Sequence, residues 1–364
     1  MTSHATRITA DDHQVTVVSN DQAVTDWATR YFGAWWNASS AGAPISGPVV
    51  AAYVDEERFA SLAGQVTASP EEVVYANAPM LFTRDGDTVT AVQPSERLAY
   101  EHRPGHLQIV GAEAVPVALA AARLAREMLR GQLLAAGWAI LHASAVTHGG
   151  RTVLTLGGKG AGKSTTAVLL ARSGWELLAN DRVFVRAGAD GAVRVLPWPS
   201  AAALGLGLLD ATGLYDGVRA RVLDGEQLHP TQHARVTAAL VDGSRAAVWK
   251  ADGKELKPQF FPDQLADWLG MTLSTEGVAD RLLFPRIAEG AVPAVVDTSR
   301  ELEGSDFFTG ATEDRYPDVF GLTPEGVGKD AARALDALRS LPRHSVALGH
   351  DVQENAAFLA RLVA

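Results

Sequence analysis

A chain of 364 residues, 47% of them apolar and 20% charged, has enough interior-forming side chains for one large core or two moderate ones and is too balanced for disorder. Its formal net charge of -10 comes from 42 acidic and 32 basic residues mixed along the chain, so no basic tract offers a nucleic-acid footprint. With no cysteine, disulfides, thiolate metal sites and cysteine nucleophiles are excluded.

The start, MTSHATRITADDHQ, has neither the basic nor the apolar stretch of a signal peptide. The richest apolar run, 114 to 141, is broken by arginines at helical spacing, so nothing reaches the ~20 apolar residues of a membrane span. These features predict a soluble, cytoplasmic protein with neither nucleic acid nor membrane as partner.

Residues 1 to 112 read as a separate, smaller α+β module. The runs QVTVVS (14 to 19) and GDTVTAVQ (86 to 93) are rich in β-branched residues and predict strands. Apolar spacing over 22 to 36 predicts a helix on which Trp27, Tyr31 and Trp35 share a face. That face, with Phe32 and Trp36 beside it, is either an aromatic platform or the cover of a small sheet. Turn residues at 100 to 116 mark the boundary, and a second domain is expected over 113 to 364. It opens with a helix at about 116 to 136 carrying Arg123, Arg126 and Arg130. Two short strands follow across 138 to 158, joined at the turn THGG.

The next segment, GGKGAGKST (157 to 165), satisfies G-x-x-x-x-G-K-[ST] through Gly157, Gly162, Lys163 and Ser164. A β-branched run precedes it and a helix from Lys163 to Arg172 is predicted after it. In that setting the backbone of Gly157, Gly158, Lys159, Gly160, Ala161, Gly162, Lys163, Ser164 and Thr165 wraps around the phosphates of a nucleotide. Lys163 then reaches the β and γ oxygens and the Ser164 hydroxyl is a ligand for Mg²⁺. The competing reading is a tight glycine-rich turn. The strand WELLAND then ends at Asn180 and Asp181, where a P-loop protein needs an acidic residue as metal ligand or as base for an incoming hydroxyl. Asp181 could equally be a turn or cap residue before the hairpin that turns at AGADG. His142, in ILHASAV, could steady a transferring phosphoryl group or be a core histidine satisfied by a carbonyl.

Further along, FFPDQLADWLG and KDAARALDALRSL (329 to 341) predict amphipathic helices and AVPAVVDTS a strand. Lys254, Lys257 and Arg286 are candidates to offset phosphate charge, the last favoured by its apolar neighbours. The alternative for each is a solvated surface charge. His344 reads as structural.

The segments LLAAGWAILHASAV, TLGGKGAGKSTTAVLLARSGWELLANDRVFV and, more weakly, PWP resemble the catalytic domain of bacterial HPr serine kinase/phosphorylase. The likeness extends to the broader HPr-kinase-like kinases and is greatest to those of biosynthetic gene clusters, including ribosomal-peptide pathways. It covers roughly 123 to 200 and is thin elsewhere. The resemblance implies an α/β fold in which a P-loop core with a mixed sheet, related to phosphoenolpyruvate carboxykinase, follows the N-terminal domain. It also implies His142, Lys163 and Ser164 as site residues, Asp181 as catalytic base, and Asn180 as its neutral neighbour near the metal. Asn180 stands where the family has its first aspartate, and the later glycine-rich segment with a further metal-binding glutamate is not found; both put a phosphorylase activity in doubt.

Together these readings give an ATP- and Mg²⁺-dependent kinase with Asp181, His142, Lys163 and Arg286 in its catalytic set. Its acceptor is a hydroxyl on a peptide or protein, with a small-molecule or sugar alcohol as the alternative. An NTP-hydrolysing regulator and a nucleotide-binding module without turnover stand beside it, and a homo-oligomer stays open.

Overall fold

The computed structural model describes residues 3–42, 45–66, 70–297, 300–308, 316–324, 326 and 329–364. It is an α/β structure with mixed sheets, and the chain divides into two compact units. One is Met1–Ala139 with Phe308–Lys329, the other Ile140–Phe307 with Asp330–Ala364.

The first unit is built on β1 (His4–Ala10), β2 (His13–Ser19), α1 (Gln22–Phe32), β3 (Ser39–Ser40), β4 (Val49–Val54) and α2 (Glu56–Ala63). It continues through β5 (Glu71–Tyr75), β6 (Ala78–Asp85), β7 (Thr88–Gln93), β8 (Leu98–Arg103), β9 (His106–Gly111) and α3 (Ala114–Ala135). The strands form one nine-stranded sheet in the order β3-β1-β2-β4-β9-β8-β7-β6-β5. β4 is parallel to both β2 and β9 while the β5–β9 meander is antiparallel. α3 packs on β2, β4 and β9 and against α1, which explains why it is buried almost all round.

Two sequence expectations are corrected here. The module does not end at 112: α3 packs on the first sheet, and the compact unit runs on to Ala139 and takes in 308–329. The helix expected over 22 to 36 stops at Phe32, because Gly33 turns the chain with a positive φ of 47°. Trp35 and Trp36 therefore leave the helix and are buried, with Trp36 stacked on Phe32 at 5.6 Å, so the aromatic residues cover the sheet and form no platform.

The second unit begins with β10 (Ala139–Leu141), whose first residue belongs to the preceding unit, then β11 (Ala143–His148), β12 (Arg151–Leu156) and α4 (Lys163–Arg172). β13 (Glu176–Ala179), β14 (Val183–Ala187) and β15 (Val193–Pro197) follow. Next come short elements: β16 (Ala202–Ala203), α5 (Leu206–Ala211), α6 (Tyr215–Leu223), α7 (Ala234–Val241), β17 (Val248–Trp249), β18 (Glu255–Leu256), β19 (Gln259–Phe260) and α8 (Pro262–Asp267). The chain closes with β20 (Gly277–Ile287), β21 (Ala294–Val296), β22 (Phe307–Phe308), α9 (Lys329–Arg339), β23 (Arg343–Leu348) and α10 (Val352–Val363).

Its main sheet runs β13-β11-β12-β20-β15-β14-β10-β22, with β23 beside the carboxyl half of β20 and β21 outside β23. β20 is parallel to β12 and β23, while the β11–β12, β11–β13, β14–β15, β15–β20 and β21–β23 pairs are antiparallel. Because β10 runs straight into β11 and β14 follows β13, the path of the sheet returns on itself at two corners, residue 142 and residues 180–182. α4 covers β11, β12 and β13 and packs against α10. Among the described residues, no helix is long and apolar enough to cross a membrane.

Candidate functional site

The loop between β12 and α4 takes its shape from glycine. Gly157, Gly160 and Gly162 have φ of 154°, 80° and 110°, and a Cβ on Gly157 would stand 2.7 Å from that of Ala161. At Gly162 a Cβ would meet the Ile287 side chain of β20 at 3.0 Å, so positive φ and close approach coincide where α4 begins. The first N–H groups of α4 have no acceptor inside the helix and carry its positive end toward the loop. Lys163, buried at the helix start, donates from Nζ to the carbonyl oxygens of Gly157 (2.6 Å) and Gly158 (3.4 Å). Its own carbonyl accepts the Ser144 hydroxyl of β11 at 3.0 Å, which ties the helix start to the neighbouring strand. Ser164 and Thr165 are half-buried in the first turn, and Lys159 is exposed on the loop.

The two corners of the sheet supply the rest. β11 and β13 are antiparallel neighbours, with Ala145 opposite Ala179. Residue 142, just before β11, therefore comes beside residues just after β13. His142 Nε2 lies 3.2 Å from Asp181 Oδ1. An ionised carboxylate only accepts, so Nε2 carries the proton in this pair. Arg182 Nε stands 3.5 Å from Asp181 Oδ2, and its guanidinium lies 5.7 Å from the centre of the Trp198 ring. Burial pushes the Asp181 carboxyl up, but the His142 hydrogen bond and charge, then Arg182 and Lys163, outweigh it and hold it below the usual carboxylate range. The side chain stays 46% exposed, so solvent screens part of this field and leaves room for a ligand. The backbone N–H of His142 donates to the Asp306 carbonyl at 2.8 Å, which fixes the first corner to the segment before β22.

The loop residues, Lys163, His142, Asn180 and Asp181 thus come into one neighbourhood. Arg286 is exposed near the carboxyl end of β20, one strand from the loop, because Thr155 pairs with Leu283. Its neighbours Pro285 and Ile287 approach Gly162, so strand alternation turns Arg286 to the other face of the sheet. Lys254 and Lys257 flank β18 of a separate two-stranded sheet, where Lys257 pairs with Glu255 at 3.3 Å. His344 sits on β23 opposite Leu283. Sequence reading missed Arg182, Trp198 and Ser144. The first directly follows the acidic residue, a signal in plain view, whereas Trp198 and Ser144 reveal their roles only through pairing.

No protein-family model matches the chain, and no curated protein matches it in sequence.

Proposed function

We propose that the second unit is an ATP-dependent kinase that transfers the γ-phosphoryl group to a hydroxyl, with the P-loop core and corner arrangement of an HPr-kinase-like domain. The observation that carries the reading is the pairing of His142 with Asp181 beside a glycine-shaped loop whose lysine lies close enough to act on the same carboxylate. Such a loop accepts phosphates through backbone N–H groups and the helix start. The Lys163 ammonium, which donates to the loop carbonyls of Gly157 and Gly158, would bind the β and γ oxygens of a seated nucleotide.

Mg²⁺ keeps several waters and takes one or two protein oxygens besides phosphate, so Ser164 Oγ and an Asp181 oxygen, with Asn180 at the rim, are a suitable donor set. When bound, that ion neutralises charge on the β and γ phosphates. Asp181 accepts the hydroxyl proton as the oxygen attacks in line. A carboxylate held low is a weak base, but phosphoryl transfer through a loose transition state asks more for orientation than for basicity. His142 keeps the carboxylate aimed.

The test is to incubate the protein and its Asp181→Asn form with Mg²⁺, γ-labelled ATP, and peptide and small-alcohol acceptors. Label on a hydroxyl, reduced in the variant by about 10²–10⁴-fold, is the expected result for a positioned proton acceptor. Label released only as free phosphate, at one rate whatever the acceptor, overturns the kinase in favour of a hydrolase.

A further inference from the structure

The carboxyl half of β20 carries β23 and then β21, and among the described residues no strand pairs on the far side of β21. This short edge is apolar and exposed: Val295 is 50% and nearby Val292 75% accessible. Beside it lies a basin of about 450 Å³, within the usual range for ligand sites, on the sheet face shared by Phe284, Ser345 and Val296, which stand opposite one another across the three strands. Two arginines line it. Arg300 lies 4.9 Å from the centre of the Phe284 ring and is held by the buried Asp306 carboxylate at 2.5 Å, while Arg343 reaches Glu301 at 3.5 Å and donates to the Arg339 carbonyl at 3.2 Å. His344 adds an imidazole, and among the described residues Asp297 is the one acidic side chain in the lining. Arg286 lies two residues along β20 from Phe284, about 7 Å toward the phosphate loop on the same face. Asp306, which holds Arg300, also gives its carbonyl to His142.

From this we propose that the β21 edge and the adjoining basin dock an acidic peptide, which adds alongside β21 as a strand and lays its carboxylates on Arg300 and Arg343. An exposed apolar edge offers main-chain pairing to an extended chain, and the arginines select its charge. The inference rests on the kinase reading, for which it names an acidic peptide as the acceptor class.

Binding is tested by fluorescence anisotropy at low salt with short labelled peptides of alternating glutamate and valine ending in serine. The comparison peptides carry lysine for glutamate, or N-methyl groups on alternate amides. The acidic peptide is expected to bind, the lysine peptide to fail, and N-methylation to weaken binding by about tenfold as main-chain pairing is lost. Arg343→Glu should weaken it by at least about tenfold and Arg343→Gln by less, because the arginine is partly exposed and its role is charge. Equal binding of acidic and basic peptides, or affinity unchanged in Arg343→Glu, overturns the proposal. The same titration on Lys163→Ala separates the two readings. Docking is expected to survive in Lys163→Ala while labelling is lost; a parent protein that docks the peptide but labels no acceptor sinks the kinase alone, while phosphorylation of small alcohols without peptide binding sinks the docking surface alone.

Discussion

The Asp181 carboxylate is held from two sides, by an imidazole across a strand corner and by the next residue's guanidinium. Its hydrogen bond from His142 is the largest of the effects that lower its pKa. Replacing His142 with Asn is therefore expected to move the Asp181 pKa upward. For a carboxylate lowered in the folded state, the ionised form is complete above the ordinary range near pH 4 and is lost only as pH falls through the lowered value. A carboxyl-carbon NMR titration of the free protein should show the Asp181 step shifting to higher pH in His142→Asn, and an unmoved step would mean the pair is not formed in solution. Gly162 makes a second residue-scale demand. At φ of 110° an alanine is strained by about 1–3 kcal/mol and pushes on Ile287. Gly162→Ala should lower the melting temperature and weaken ATP binding in calorimetry, whereas Gly158→Ala, with nothing within 4 Å of its added Cβ, should retain far more of both.

α3 shows how one element is made to belong to its unit. Its Glu127 is buried between Arg126, 3.0 Å away, and Arg130, 2.8 Å away, and Arg126 also donates to Tyr31 of α1 at 3.0 Å. Burial pushes the Glu127 carboxyl up, but the two guanidinium groups overcome this and hold it below its usual range. Its contribution to stability is complete above the ordinary glutamate pKa, near 4.3, and disappears as pH falls through the lowered folded value. Glu127→Gln should cost about 3–5 kcal/mol at pH 7, as for removing one side of a buried pair. Urea melts across the acid range should show the gap between the two proteins narrowing, and a constant gap would mean that the carboxylate charge contributes nothing. Part of this element was legible beforehand: apolar spacing predicts the helix to within two residues at each end. What it covers was not, since a helix buried almost all round gives no single face by which to choose a partner sheet. The glycine-rich loop between β12 and α4 was legible as an element because strand, loop and helix are contiguous in sequence. The His142–Asp181 pair was legible as two candidates and illegible as a contact, because 39 residues and a change of strand separate them.

At the scale of the chain, the first unit is completed by a segment that sequence reading assigned to the second. Arg123 of α3 lies 4.9 Å from the Tyr75 ring centre and 4.8 Å from that of Tyr316. Phe320 meets Tyr100 at 5.6 Å and His102 at 6.2 Å, and Arg84 donates to the Val319 carbonyl at 2.6 Å. Such closure by contacts between segments far apart in the chain leaves no periodic trace in the sequence. Gly131 permits it, for a Cβ there would stand 2.1 Å from the Leu322 carbonyl oxygen. Gly131→Ala sets two effects against each other: a helix-propensity gain of up to about 1 kcal/mol, and displacement of backbone from the helix surface. Backbone cannot yield as a side-chain tip does, so displacement should win. The variant is expected to melt earlier and to be cut by protease near residues 316–324 faster than the parent, while the two are cut alike elsewhere. A more stable variant with an unchanged digestion pattern would mean that the segment does not rest on α3 in solution. Its unit would then end where α3 does.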